Sequence, residues 1–490
     1  MKCLLKTALF SAFLLFRGGF LFGQAPDTAW TKTFGGTEYD EGKSVQQTTD
    51  GGYIVTGFIY SNYQFDVYLI KTDSLGDSLW TRTYGGVNSD YGLSVRQTSD
   101  GGYIIAGIVG IVSLPSHDDA YLIKTDSMGD TLWTRHYGGP SVDFARCVQQ
   151  TTDGGYIFVG RYCPSLGEEE DIYLVKTDSL GDVLWMKTHG GSPSDHGYCV
   201  QQTKDGGYII GGFSWSTDEE CWKNYLIKTD SLGDSLWARI YGRVYDDDDS
   251  GIYLQQTKDK GYIIVGQDLE GEDYDLYLIK TDSLGDTLWT RTYGGTEREV
   301  GHSIQLTKDG GYVIVGRTDS YGSGDADVYL IKTDSMGDPI WTKTIGGTDA
   351  DFGYSVQQTT DGGYIITGLT FSYGPGRSDV YLIKIEPEKS GIEEDITPGL
   401  FFLYPASPNP FANETIVKYE MAKENYIDIS IYNMLGQRVR SLYSGKQSSG
   451  THLVIWNGTG DTGEKLSSGI YFFNIKTGDK EASSKVMFLR

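Results

Sequence analysis

The stretch Asp66-Val67-Tyr68-Leu69-Ile70-Lys71-Thr72-Asp73-Ser74-Leu75-Gly76-Asp77-Ser78-Leu79-Trp80 decides the fold. Its first half is β-branched, aromatic and almost continuously apolar, with no helical period, which suits a strand covered on both faces. Asp73 to Asp77 has the residues of a tight turn, and a second strand runs on to Trp80. The string returns along the chain with small changes. Its tryptophans, Trp30, Trp80, Trp133, Trp185, Trp237, Trp289 and Trp341, are spaced by 50, 53 and then four times 52 residues. A period in this range marks a solenoid, propeller or array, in which no unit buries its apolar face alone. What the copies share builds a scaffold, so function is to be sought where they differ.

Upstream of the string, each copy carries Asp50-Gly51-Gly52-Tyr53 or a near variant, preceded by Ser44-Val45-Gln46-Gln47. In the first copy, strands are expected over residues 43–48, 52–57, 66–72 and 78–84, with glycine supplying the positive φ of the first hairpin. Four strands per copy and seven copies predict an all-β chain. Its main part is a seven-bladed β-propeller of four-stranded blades over residues 26–385. The repeat region opens with a Trp strand at 28–34 and stops after Tyr381-Leu382-Ile383-Lys384 without one. The first strand should therefore complete the last blade and remove two open edges. On this register the Trp strand is outermost and the Ser-Val-Gln-Gln strand innermost, and the Gln pairs are expected to bond between blades. The repeats resemble propeller repeats of secreted bacterial proteins. They do not match the Asp-box of sialidases, because Asp73 and Gly76 stand three apart and Trp80 follows Gly76 by four.

Composition bounds the partners. Among 490 residues, 36 are tyrosine and 66 glycine, as many short strands and tight turns require. A net charge of −25 argues against nucleic acid and anionic lipid as partners and favours divalent cations or basic ones. Lys2 and Lys6 precede an apolar stretch at 8–16, with small residues at Gly23 and Ala25, so residues 1–25 are expected to be a signal peptide. No other stretch is long and apolar enough to span a bilayer. Beyond the signal, the cysteines are Cys147, Cys163, Cys199 and Cys221, all in copies three and four. They are candidates for a disulfide in an oxidising compartment, with free buried thiols as the alternative.

Past the repeats, residues 386–399 form a charged linker and residues 400–490 a new pattern with strand-like runs at 416–419, 427–432, 452–456, 469–475 and 485–489. About ninety residues of antiparallel strands suggest a small Ig-like β-sandwich. Its motifs are Pro408-Asn409-Pro410-Phe411, Ile431-Tyr432-Asn433-Met434-Leu435-Gly436-Gln437-Arg438-Val439, Trp456-Asn457-Gly458, Ser468-Gly469-Ile470-Tyr471 and the closing Lys485-Val486-Met487-Phe488-Leu489-Arg490. On these motifs the segment resembles the type A C-terminal sorting domain of the type IX secretion system. It is also similar to the Ig-like module of flagellar hook-capping proteins. Ala406-Ser407 interrupts the usual Tyr-Pro-Asn-Pro, and Val486 stands before Met487 where the family prefers Lys-Met. The resemblance implies export in two steps, the tail engaging the type IX machinery through Pro408, Asn409, Pro410, Gly436, Lys485 and Met487. Such a protein is released or displayed at the surface of a Gram-negative-type bacterium.

No catalytic constellation is recognisable. The histidines His117, His136, His189, His196, His302 and His452 lack metal-ligand spacing, and no Gly-x-Ser-x-Gly elbow occurs. One acid per copy recurs at the entry to the inner strand: Asp40, Asp90, Asp143, Asp195, Asp249, Glu299 and Asp351. A seven-fold acidic ring at the channel mouth could hold cations; the favoured reading is a carboxylate accepting backbone N–H groups in a turn. The connections between second and third strands, eight to eleven residues by count, differ in every copy, as binding loops on a rigid ring do. Several carry acid runs: Glu168-Glu169-Glu170-Asp171, Asp218-Glu219-Glu220, Asp246-Asp247-Asp248-Asp249 and Glu270-Gly271-Glu272-Asp273. These are candidates for a ligand or a cation such as Ca²⁺, which takes about six to eight oxygens; solvated charge is the plainer reading. No cofactor is indicated beyond that. The leading expectation is an exported, non-catalytic propeller serving as a binding or structural module at the cell surface or outside the cell, with a surface glycan or protein as the candidate ligand. The alternative is a secreted hydrolase acting on polysaccharide or peptide.

Overall fold

The computed structural model describes residues 25–490 except 112–116, 166–167, 192, 245–250, 271–272, 389–400, 404–405, 407–410, 422, 435, 479 and 490. The chain divides into two compact units, Met1–Pro387 and Glu388–Arg490. The expected signal peptide lies outside the described residues, apart from Ala25.

Among the described residues, the first unit holds seven four-stranded antiparallel sheets, the blades of a propeller. The first blade runs Asp40–Gln47, Tyr53–Ser61, Gln64–Thr72, Ser78–Tyr84 from inside to outside. Thr28–Phe34 pairs antiparallel with Asp379–Ile385, with Trp30 opposite Lys384 and Phe34 opposite Val380. The last blade thus takes its outer strand from the start of the repeat region.

The repeated residues join blade to blade. Trp30 meets Tyr53 of the next blade edge-on, with ring centroids 6.0 Å apart, and the equivalent tyrosine of every other blade receives a Trp at 5.8–6.3 Å, edge-on in all but the tilted Trp289–Tyr312 pair. The turn glycine lies beneath that Trp. Gly76 has φ +79°, and a Cβ there would sit 2.6 Å from the Trp30 ring. The Gln pairs work reciprocally at the inner edge. Gln46 Oε1 accepts from Gln97 N at 2.6 Å, and Gln97 Oε1 accepts from Thr49 N at 2.9 Å. The closing seam is stitched likewise, Gln357 Oε1 taking Gln47 N at 2.5 Å and Gln47 Oε1 taking Thr360 N at 2.8 Å.

One expectation needs correction. In the first blade the second and third strands do not part at Phe58. The ladder continues through Tyr60 opposite Phe65 and Ser61 opposite Gln64, leaving only Asn62-Tyr63 as the turn. Both residues have positive φ, 50° and 65°, the conformation of a two-residue hairpin that Asn-Gly would have announced. Blade four extends similarly to Ser216 opposite Cys221. Blades six and seven keep true loops, from Thr318 to Asp327 and from Thr370 to Asp379.

The second unit packs a three-stranded sheet, Phe401–Leu403, Thr415–Met421 and Gly450–Trp456, with a four-stranded one. The latter is ordered Arg438–Gln447, Asn425–Asn433, Gly469–Thr477, Lys480–Phe488. Trp456, Phe473 and Phe488 fill the core with Ile427, Ile429 and Ile431 from alternate positions of one strand. Arg438–Gln447 is a strand the sequence reading missed, since its alternation of Arg, Ser, Gly and Lys hides a half-buried face.

Candidate functional site

The two faces of the propeller differ in kind. On the turn face, Asp50 of each Asp-Gly-Gly turn accepts from the buried lysine of the third strand, Lys71, at 2.9 Å. The same pair recurs in the other six blades at 2.8–3.0 Å. The clamp gives this face the same geometry in all seven blades.

The opposite face carries the crossovers into the inner strands and the connections between second and third strands. Its recurrent acids are buried structural acceptors. Asp40, Asp90, Asp143 and Asp351 have no exposed surface. Asp40 accepts from Gly36 N at 2.6 Å and Tyr60 N at 3.0 Å, and Asp90 from Gly86 N at 2.7 Å and Gly110 N at 3.0 Å. Glu299 likewise accepts from Gly295 N and Ser320 N, and Asp351 from Gly347 N and the Ser372 hydroxyl. A second carboxylate from the third strand of the neighbouring blade joins each of them across one glycine. A Cβ on Gly85 would lie 2.4 Å from Asp66 Oδ1 and 2.5 Å from Asp90 Oδ2, and Gly35, Gly138, Gly190, Gly294 and Gly346 are flanked alike. Glycine is required there because two carboxylates occupy the space a side chain would need. Burial pushes the Asp90 and Asp379 carboxyls up, against their backbone hydrogen bonds, and a neighbouring carboxylate adds to it. Asp143 is pushed up to about 6 for the same reasons. In blade four a neutral Asn224 takes the third-strand position and donates to Gln267 O at 2.8 Å. With one or both carboxylates buried, these pairs hold the crossovers.

Among the described residues the acids of these runs are engaged separately. Glu170 is engaged by His196 at 2.7 Å and by Arg161 at 3.2 Å, and Glu219 by Lys223 at 2.8 Å. Burial raises the Asp171 carboxyl, helped by Asp195 and Glu169. Glu168, Glu169, Asp218 and Glu220 are exposed, and Glu220 sits in a turn with φ 52°. Asp246, Asp247, Asp248 and Asp249, with Gly271 and Glu272, lie outside the described residues. Among the described residues no group of three or more His, Cys, Asp or Glu could hold a metal ion. All four cysteines are free thiols. Cys163 is buried and donates to Ser165 O at 3.2 Å, while Cys147 and Cys199, on adjacent inner strands, donate to Val200 O at 3.8 Å and Leu254 O at 3.9 Å. In the second unit, Pro408, Asn409 and Pro410 lie outside the described residues; Gly436 holds a turn with φ +72°, and Lys485 and Met487 belong to the last strand.

What the sequence reading missed is a cleft over the first three blades. It encloses ≈ 670 Å³ and is lined by Asn62, Tyr63 and Gln64 of the first hairpin, Val87 to Ser89 and Tyr91 of the next crossover, and His117, Asp118 and Val142. Gln64 Nε2 donates to Gly86 O at 2.9 Å and Phe65 N to Ser89 Oγ at 3.2 Å, fastening hairpin to crossover. Beneath them Phe58, Phe65 and Tyr91 pack at 5.0–5.3 Å. At the rim, Tyr63 is 95% exposed and Val87 76%. A bulky residue in the left-handed region costs roughly 1–2 kcal/mol, so Tyr63 is held out into water at a structural expense. Backbone strain of this kind concentrates at functional positions. The signal in the sequence was Asn62-Tyr63 itself, an aromatic where a hairpin favours glycine.

Against known proteins, the FlgD Ig-like domain family matches residues 414–481, within the second unit. No curated protein matches the chain. Among solved structures, similarity is found to PorZ, a surface component of the type IX secretion system of Porphyromonas gingivalis, at 12% identity and a TM-score of 0.40. That match covers 93% of this chain but only 60% of PorZ. A fungal copper-bound alcohol oxidase of the AA5 family matches at 11% identity and a TM-score of 0.47, over 95% of this chain and 100% of that one. A Dyadobacter fermentans protein of unknown function matches at 11% and 0.41, over 74% and 100%. Among the described residues no helix is long and apolar enough to cross a membrane.

Proposed function

We propose that the chain is an exported, non-catalytic binding module whose propeller takes a glycan or protein ligand on its loop face. The Ig-like second unit serves, on this reading, as the sorting module for passage through the type IX machinery to the surface or medium. The observation that carries the binding role is the contrast of faces. Seven identical Lys–Asp clamps fix one side, and the other holds the aromatic-rimmed cleft under Tyr63. An amphipathic ring presented on a rigid turn suits stacking on a sugar face or an apolar side chain at small entropic cost. The sorting role rests on the tail motifs and on the Ig-like match at 414–481.

Glycan and protein arrays probed with the full chain, beside a Tyr63→Ala variant, test this. A discrete set of ligands that Tyr63→Ala loses supports the cleft. Ligands retained in full by the variant, or turnover of an array glycan or peptide, would overturn it in favour of another surface or of a hydrolase.

A further inference from the structure

The inner strands line the axis of the propeller, and there the copies diverge in charge. One row of six glutamines, Gln46, Gln149, Gln201, Gln255, Gln305 and Gln357, accepts backbone N–H groups of the next blade. Blade two has Arg96 in this row. Its Nη1 donates to Val95 O at 2.7 Å and Ser44 Oγ at 3.4 Å, which fixes the side chain and leaves other N–H groups uncommitted. Six of the inner strands also carry a register shift, as between Ala145 and Cys147. Blade three places Arg146 there, stacked on Tyr198 of the next blade at 4.2 Å. The Arg146 Nε is buried and has no hydrogen-bond partner.

Arg96 and Arg146 stand on the inner strands of adjacent blades. Arg96 acts electrostatically on the Cys147 and Cys199 thiols. Tyr253 of blade five feels Arg146, both thiols, and Lys43 of blade one. Where four blades have serine at that level (Ser44, Ser94, Ser303 and Ser355), blade five has Tyr253. Burial raises its pKa, so it stays a donor. Lys43 is neutralised by Glu41 at 2.6 Å. Among the described residues Arg96 and Arg146 have no carboxylate partner, in a chain with 66 acidic residues. Half-buried guanidinium groups without a counter-charge are costly, and low-dielectric walls focus their field.

We propose that this axial channel is a binding site for a small oxyanion, a carboxylate or phosphate, held between Arg96 and Arg146 with the Tyr253 hydroxyl as a further donor. Guanidinium forks match the paired oxygens of both anion types. The site is separate from the rim cleft and stands whether or not the cleft binds.

The other blades supply the test variants. Arg96→Gln restores the residue of six copies, and Arg146→Leu the residue of blade two at Leu93, so both are compatible with the fold. Titration calorimetry of the full chain with inorganic phosphate, and separately with citrate, should show one site for at least one anion. Each single variant should weaken it about tenfold or more, as loss of roughly 1.4 kcal/mol does, and the double variant should abolish it. Preference for one anion identifies the source of the oxygens. No heat with either at millimolar concentration, or an affinity unchanged in the double variant while its melting matches the parent, would overturn the proposal.

Discussion

Lys71 Nζ lies 2.9 Å from Asp50 Oδ2 and donates a second bond, also 2.9 Å, to Thr72 O. One nearly buried lysine thereby ties the end of the third strand across the turn that joins the first two. The Asp-Gly-Gly and Ile-Lys-Thr motifs, about twenty residues apart in sequence, are two halves of one contact. Lys332 makes the same contact with Asp309 at 2.8 Å and is wholly buried. Lys332→Met is expected to leave Thr333 O and Asp309 without this donor and to cost about 1–3 kcal/mol. A lowered urea midpoint would show it; a midpoint equal to the parent's would mean the clamp is ornamental.

Two turn glycines separate steric from conformational demand. Gly51 and Gly76 both have positive φ, but a Cβ on Gly51 meets nothing within 4 Å whereas one on Gly76 strikes the Trp30 ring. Gly51→Ala should cost about 1 kcal/mol for its backbone alone. Gly76→Ala should cost clearly more, because it also displaces the strand that closes the ring. Equal midpoints for the two variants would contradict that packing.

Stability should fall on both sides of mild acidity. Burial and the nearby Asp119 charge raise the Asp143 carboxyl to about 6 against hydrogen bonds from Gly139 and Cys163. The folded state therefore holds that proton more tightly, and the contribution is full below about 4 and lost as pH rises toward 6. Asp100 and Asp153 behave oppositely. Burial works against them, but hydrogen bonds from Thr98 and Thr151 and from their paired lysines outweigh it and bring both to about 2. Their contribution is present above about 4 and lost as pH falls toward 2. A melting temperature followed from pH 3 to 8 should peak between these windows, and Asp143→Asn should flatten the alkaline limb alone.

For export, removing residues 400–490 should leave a folded propeller retained inside the outer membrane. Fractionation of cells producing the shortened chain measures it. Appearance in the medium at the full-length level would remove the sorting role from the tail.

The period of the repeat made blade number, strand order and ring closure legible, because a Trp strand at one end and a missing one at the other can only be reconciled by pairing them. Gln46 and Gln47 were legible too, since adjacent amides on an innermost strand must find acceptors and donors in neighbouring blades. The hairpin at Asn62-Tyr63 was not, because its strained backbone lacks the glycine that marks such turns. Nor were the carboxylate pairs. Asp66 and Asp90 belong to different blades, and only the curvature of the ring brings them to either side of Gly85. Arg96 and Arg146 stand at different offsets in their copies, so no shared spacing marks them as a pair.

The pairing of Thr28–Phe34 with Asp379–Ile385 also sets an order of events. A chain that emerges amino end first presents its closing strand at once, yet that strand's partner arrives more than 300 residues later. Until then the ring is an open arc with two sticky edges, and any chain cut short before the last repeat stays one. The latch therefore audits its own synthesis: only a full set of blades can shut.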